Sequence, residues 1–184
     1  EHMAKLVSKV YGDALMEAAL EHQEVDVLFD EAKALMEVWK ENPDLAVLLD
    51  NPKVVKEEKL GVLERVFCDR ISPDMLGFLT IAVEKGRHKE IPSILEYFIG
   101  QVKEMKKIGT AFVSSAVELS SAQKAQVKER LLSTTSYKEF EIHYTVDASL
   151  IGGMVIRIGD RVVDSSIKTQ IYELQKELTR IQLA

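Results

Sequence analysis

Four histidines, one cysteine and thirty aspartates and glutamates are the residues of this 184-residue chain that could do chemistry. Zinc needs imidazoles paired at i and i+4 on one helix, or cysteines at fixed short spacing. His22, His88 and His143 have neither arrangement, so each reads as a surface or cap residue and no metal site is expected. Asp147, Asp160 and Asp164 could gather Mg²⁺ or share a proton, but they fall at predicted strand ends, where aspartate serves turns. Cys68 follows Phe67 and reads as a small hydrophobe, because a nucleophilic thiolate needs a base or a helix N-terminus beside it. The serine pairs lack a G-x-S-x-G elbow and read as caps. No G-x-x-x-x-G-K-[ST] run exists to wrap nucleotide phosphates. Gly152-Gly153 lacks the third glycine and following helix of a dinucleotide fingerprint, so it reads as a strand start or bulge. The expectation is a chain with no catalytic residues, no cofactor and no enzymatic activity.

The bulk composition agrees with a binding role. At 46% apolar residues the chain can bury a core. Residues 1–107 carry 15 Lys/Arg against 21 Asp/Glu, whereas residues 108–184 carry nine of each. That asymmetry suggests two differently surfaced halves. A net charge of −6 argues against a protein that grips phosphate backbones, so nucleic acid is not expected as a partner. One cysteine allows no internal disulfide, and a reduced cytoplasm fits. No apolar run approaches the roughly 18–20 residues that span a bilayer, and no leader is legible, so membrane association is expected to run through other proteins. Glu1 and His2, ahead of Met3, read as the remnant of an expression tag.

The elements that must position any site divide into two grammars. Over residues 3–107, helix follows helix. A first is predicted from Ala4 to Glu21, with Gly12 inside it at a cost of about 1 kcal/mol relative to Ala. A second, Val25 to Lys40, puts Leu28, Ala32, Leu35 and Trp39 on one stripe. Asn42-Pro43 reads as an N-cap and first helical residue for a short helix through Leu49, and Asn51-Pro52 punctuates before a helix with Leu60, Leu63, Val66 and Phe67. Ser72-Pro73-Asp74 is the clearest start signal, opening a helix that stops at Gly86. A sixth helix has Ile91, Ile94, Leu95, Phe98, Val102 and Met105 on its inner side and Gly109 as its stop. Six short helices with tight turns predict a bundle.

Beyond Gly109 the pattern becomes β-rich. Thr110–Val117 reads as a strand, Ser120-Ser121 caps a helix to Leu132, and Phe140, Ile142, Tyr144 and Val146 alternate. Met154–Ile158 reads as a strand, Gly159-Asp160 as a turn into Arg161–Val163, and a helix from Ser166 carries Ile167, Ile171, Leu174, Leu178 and Ile181. The fold class expected is α+β, a helical bundle followed by a small C-terminal α+β unit over 108–184.

The sequence is most informative in its excess of apolar surface. The first helix carries Leu6, Val7, Val10, Tyr11, Ala14, Leu15, Ala18 and Leu20, wider than one face needs. In the Ser72–Gly86 helix, Met75, Leu76, Phe78, Leu79, Ile81, Ala82 and Val83 leave almost no polar side. Such helices are either central or half covered by a partner. Periodicity leaves both readings open.

The run Leu150-Ile151-Gly152-Gly153-Met154-Val155-Ile156-Arg157-Ile158-Gly159-Asp160-Arg161-Val162-Val163-Asp164, followed by Ser166-Ile167, resembles the C-terminal signature of the F-type ATP synthase delta subunit, the oligomycin-sensitivity-conferring protein of mitochondria. Tyr11 with Ala14-Leu15, Asn51-Pro52, and Phe78-Leu79 leading to Glu84-Lys85-Gly86-Arg87 fit in the same order, so the resemblance covers residues 4–182. Gly12 departs from the family's usual Ala, and Ser165 from a frequent Gly. The resemblance implies a non-catalytic stator, peripheral on the cytoplasmic face of a bacterial membrane. It implies a groove of the first and fifth helices receiving the N-terminal helix of an alpha subunit at Val7, Tyr11, Ala14, Leu15, Ala18, Phe78, Leu79, Ala82 and Val83. It further implies that the C-terminal unit meets the b subunits of the peripheral stalk, along the edge Ile171, Leu174 and Leu178. An RNA-binding helical module would need a basic face, and a small α+β enzyme a recognisable site; the residues favour neither.

Overall fold

The computed structural model describes residues 1–149, 154–158 and 175–180. The turn at Gly159-Asp160, the strand at Arg161–Val163 and the helix start at Ser166 lie outside the described residues. The chain divides into two compact units, Glu1–Val102 and Lys103–Ala184. It is mostly helical with one small sheet, the α+β class that the sequence predicts.

The helices are α1 (His2–Glu21), α2 (Val25–Glu41), α3 (Pro43–Asp50), α4 (Lys56–Phe67), α5 (Pro73–Glu84) and α6 (Ile91–Lys106), the last entered through a 3₁₀ turn at His88–Glu90. The stripe Leu28, Ala32, Leu35 and Trp39 of α2 is buried, as are Ile91, Ile94, Leu95, Phe98 and Val102 of α6. Trp39 stacks on Phe67 with ring centroids 6.2 Å apart, fastening α2 to α4. At the start of α5 the Ser72 hydroxyl accepts from the Met75 amide, and the Glu31 carboxylate of α2 accepts from the Ser72 amide at 3.0 and 2.9 Å. The cap is thereby tied to a neighbouring helix.

Three expectations are corrected. Asn42 makes no side-chain cap for α3; its amide donates instead to the Val38 carbonyl, serving the open end of α2. Met105, in the last turn of α6, is 49% exposed rather than internal. Gly109 does not end α6: Lys107, at φ 56°, turns the chain, and Gly109 lies inside a strand. The glycine is needed there for space, since a Cβ on Gly109 would stand 2.6 Å from the Phe140 ring.

In the second unit, β1 (Ile108–Ser115), β2 (Glu139–Val146) and β3 (Met154–Ile158) form a three-stranded sheet ordered β2-β1-β3, with α7 (Ser121–Thr134) between β1 and β2 in the chain. β1 and β2 are parallel, with Ala111 opposite Ile142, and α7 supplies the crossover that parallel strands require. β3 runs antiparallel to β1, with Val113 opposite Ile156. A full capping box joins Ser120 and Gln123 at the start of α7. One sheet face packs on Val127 and Leu131 of α7 and on Leu178 of the helical residues 175–180.

Candidate functional site

The first unit carries an open apolar groove of about 490 Å³ between α1 and α5. α1 contributes Val10, Tyr11, Ala14, Leu15 and Ala18; α5 contributes Pro73, Asp74, Gly77, Phe78 and Ile81. Both walls follow the same i, i+1, i+4, i+5, i+8 spacing, one stripe of a helix. Small residues give the groove its depth. A Cβ at Gly77 would meet no atom within 4 Å, so bare backbone faces the opening. Val10 is 56% and Ile81 49% exposed, and Leu6 and Met3 continue the exposed apolar strip towards the start of α1. A contiguous apolar surface of this kind on a folded domain is a candidate binding surface.

Five of the nine groove positions implied by the family resemblance line this groove: Tyr11, Ala14, Leu15, Ala18 and Phe78. The other four, Val7, Leu79, Ala82 and Val83, are buried in the unit's own core. Val10, Pro73, Asp74, Gly77 and Ile81 also line it and were not singled out for it. Helical spacing alone did not single them out, because the three- or four-residue step that leads from Phe78 to Asp74 and Ile81 leads equally to the buried Met75 and Ala82. The position of α1 has its own cause. Tyr97 of α6 lies over Gly12, where a Cβ would collide with the ring, and its hydroxyl donates to Asp13 at 2.8 Å.

At the end of the groove where α1 finishes, His22 Nδ1 lies 2.5 Å from Asp74 Oδ2. The hydrogen bond to Asp74 and its charge, with Glu21 and Glu24 nearby, hold the imidazole pKa above its ordinary value. His22, Glu24 and Asp74 offer ligand atoms within 4.8 Å of one another, though His22 Nδ1 is already engaged by Asp74. His22 is the C-cap residue of α1, within the surface-or-cap reading that the sequence gives it. His143 stacks on Phe112, and His88 reaches Asp50 at 3.1 Å. Asp147 accepts from the hydroxyl and amide of Ser149, which hold its carboxyl below the usual range and make it a turn residue; Asp160 and Asp164 lie outside the described residues. Cys68 is exposed rather than an internal hydrophobe, and Asp69 and a hydrogen bond with Glu64 push its thiol pKa up, away from a reactive thiolate.

In the second unit, Leu178 is 3% exposed and belongs to the core with Val127, Leu131 and Phe140. Ile171 and Leu174 lie outside the described residues. Two further clefts occur in the first unit, one of about 500 Å³ bordered by Val38, Leu45, Val66 and Arg70, the other of about 310 Å³ beside Asp50 and His88. The larger is also mostly apolar, with Ala34, Leu35 and Val38 of α2 on one side, but α4 contributes only Val66 and Phe67 before it ends, so no second helix runs along it. Among the described residues no helix is long and apolar enough to cross a membrane.

Comparison with known proteins gives one answer. The family model described as ATP synthase delta (OSCP) subunit matches residues 7–178. The chain is 52% identical to the ATP synthase subunit delta of Lachnoclostridium phytofermentans, over 98% of this chain and all of that one. It is 34% identical to the ATP synthase subunit delta of a Synechococcus, over 92% of this chain and 94% of that one. A chain of the Toxoplasma gondii mitochondrial ATP synthase hexamer, solved by cryo-EM, has the same fold, with a TM-score of 0.66 at 23% identity, covering 93% of this chain and 96% of that one.

Proposed function

This chain belongs to the ATP synthase delta (OSCP) subunit family, and from that premise we propose that it is a non-catalytic stator that ties the catalytic head of an F-type ATP synthase to its peripheral stalk. The observation that carries the reading is the unfilled groove between α1 and α5, apolar along both walls and nearly bare of side chains at Gly77. Its occupant is the N-terminal helix of an alpha subunit, laid in by its apolar face. Tyr11 is the anchor expected to matter most, since it is half-buried in the groove lining and a tyrosine can bury its ring against the occupant while its hydroxyl finds a polar partner.

The second unit meets the b subunits. Leu178 is committed to its own core, so contact along that helix draws on exposed positions such as Lys176 and Glu177. Rotation of a central stalk drags on the head, and resisting that drag needs tight attachment rather than chemistry. Two docking regions on one chain serve this, because each attachment raises the effective concentration of the other. Membrane association is peripheral, through these partners, on the cytoplasmic face of a bacterial membrane.

Calorimetry of this chain with a peptide from the N-terminus of the cognate alpha subunit tests the reading. Submicromolar binding is expected, weakened at least about tenfold, or about 1.4 kcal/mol, by Tyr11→Asp. Equal affinity for both proteins would remove Tyr11 from the groove, and no binding to either would remove the reading.

A further inference from the structure

We propose that the groove between α1 and α5 selects a helix bearing a lysine or arginine at the end that lies against Asp74, and that this cation takes over the carboxylate now held by His22. The inference rests on the helix-in-groove reading above and deepens it. Asp74 is the one charged side chain lining the groove. Its side chain is 23% exposed, and an occupant would cover it further. A carboxylate shut away from water without a cation is costly, so an occupant bringing none would bind poorly.

Asp74 is free for this role because other groups serve the start of α5. Ser72 caps the Met75 amide, and Glu31 takes the Ser72 amide and hydroxyl. Asp74 pairs with His22, which sits at the end of α1 with 51% of its side chain exposed. This partner gives way once it is neutral, since imidazole carries charge only when protonated.

The surrounding charge points the same way. Glu17 and Glu21 stand one turn beyond Ala14 and Ala18, both exposed and both towards the His22 end of α1. Residues 1–102 carry 12 Lys/Arg against 20 Asp/Glu. At the opposite end of α5 from Asp74, Lys85 offsets the adjacent Glu84, so the uncompensated acidic charge lies beside His22 and Asp74 and the basic end of the occupant belongs there.

The groups facing His22 are Asp74 from α5, Glu21 from the last turn of α1 and Glu24 from the following turn. All three favour the imidazolium, which at low pH neutralises the carboxylate that the occupant requires. Binding should therefore tighten as pH rises through the raised pKa of His22.

The test is calorimetry of the full chain with the synthetic N-terminal peptide of the cognate alpha subunit, at pH 6 and pH 8 and at two salt concentrations. Asp74→Asn is expected to weaken binding about tenfold and flatten its salt dependence. His22→Gln is expected to tighten binding roughly threefold at pH 6 and remove most of the pH dependence. Opposite signs for the two partners are the signature, because loss of a merely structural brace would weaken both. Unchanged affinity in Asp74→Asn, or weakening by both variants, overturns the proposal. Ile81→Asn separates the two levels. If it abolishes binding while the Asp74 and His22 variants are silent, only the charge inference fails; if it leaves binding intact, the groove is not the site.

Discussion

Leu79 and Ile81 stand two residues apart on α5, are both aliphatic and differ little in hydrophobicity. Leu79 is completely enclosed, whereas Ile81 is 49% exposed at the groove. The same division runs along the helix. Met75, Leu79, Ala82 and Val83 face the unit's core, and Asp74, Gly77 and Ile81 face outward, with Phe78 on the line between them. One side of α5 is apolar because it makes the fold, whereas on the other Ile81 stays aliphatic although the fold leaves it half exposed. Stability alone gives no reason to keep an isoleucine there beside a glycine that opens the groove, which is why this side reads as a surface kept for another chain.

The comparison can be broken by mutation. Leu79→Ala should cost about 2–5 kcal/mol, visible as a lowered Tm and denaturation midpoint, because it opens a cavity in a packed core. Gly12→Ala should cost about 1–3 kcal/mol despite Ala's better helix propensity, since the new methyl meets the Tyr97 ring that is fixed to Asp13. Thermal unfolding of Gly12→Ala beside Gly12→Ala/Tyr97→Ala checks this: the double variant should not show the Gly12 penalty again. Ser72→Ala should cost about 1 kcal/mol by urea unfolding, the value of a lost cap. Ile81→Asn should change stability by no more than about 0.5 kcal/mol. A loss comparable to that of Leu79→Ala would mean that Ile81 belongs to the core and the two sides do not differ.

Much of this was legible beforehand. Ser72-Pro73-Asp74, the Leu28–Ala32–Leu35–Trp39 stripe, the Ser120 cap and the Phe140–Val146 alternation each announce their element, because local backbone needs select those residues. The parts that were not legible depend on neighbours distant in sequence. Asn42 precedes a proline like an N-cap, yet the Val38 carbonyl claims its amide. Gly109 has the look of a helix stop, yet it answers to the ring of Phe140, a contact no local pattern records. The groove was visible only as surplus hydrophobicity. An all-round apolar helix does not say which side its neighbours will cover, so Val7, Leu79, Ala82 and Val83 could not be told apart from Val10 and Ile81. The His22–Asp74 pair joins residues 52 apart in sequence and had no signal at all.

The most direct test of the central claim is a chemical-shift titration of the labelled chain with the alpha-subunit peptide. The account predicts saturable shifts concentrated at Val10, Ala14, Ala18, Gly77 and Ile81, with Leu28 and Leu35 of α2 unmoved. Shifts gathered instead around Val38, Leu45, Val66 and Arg70, or none that saturate, would contradict it.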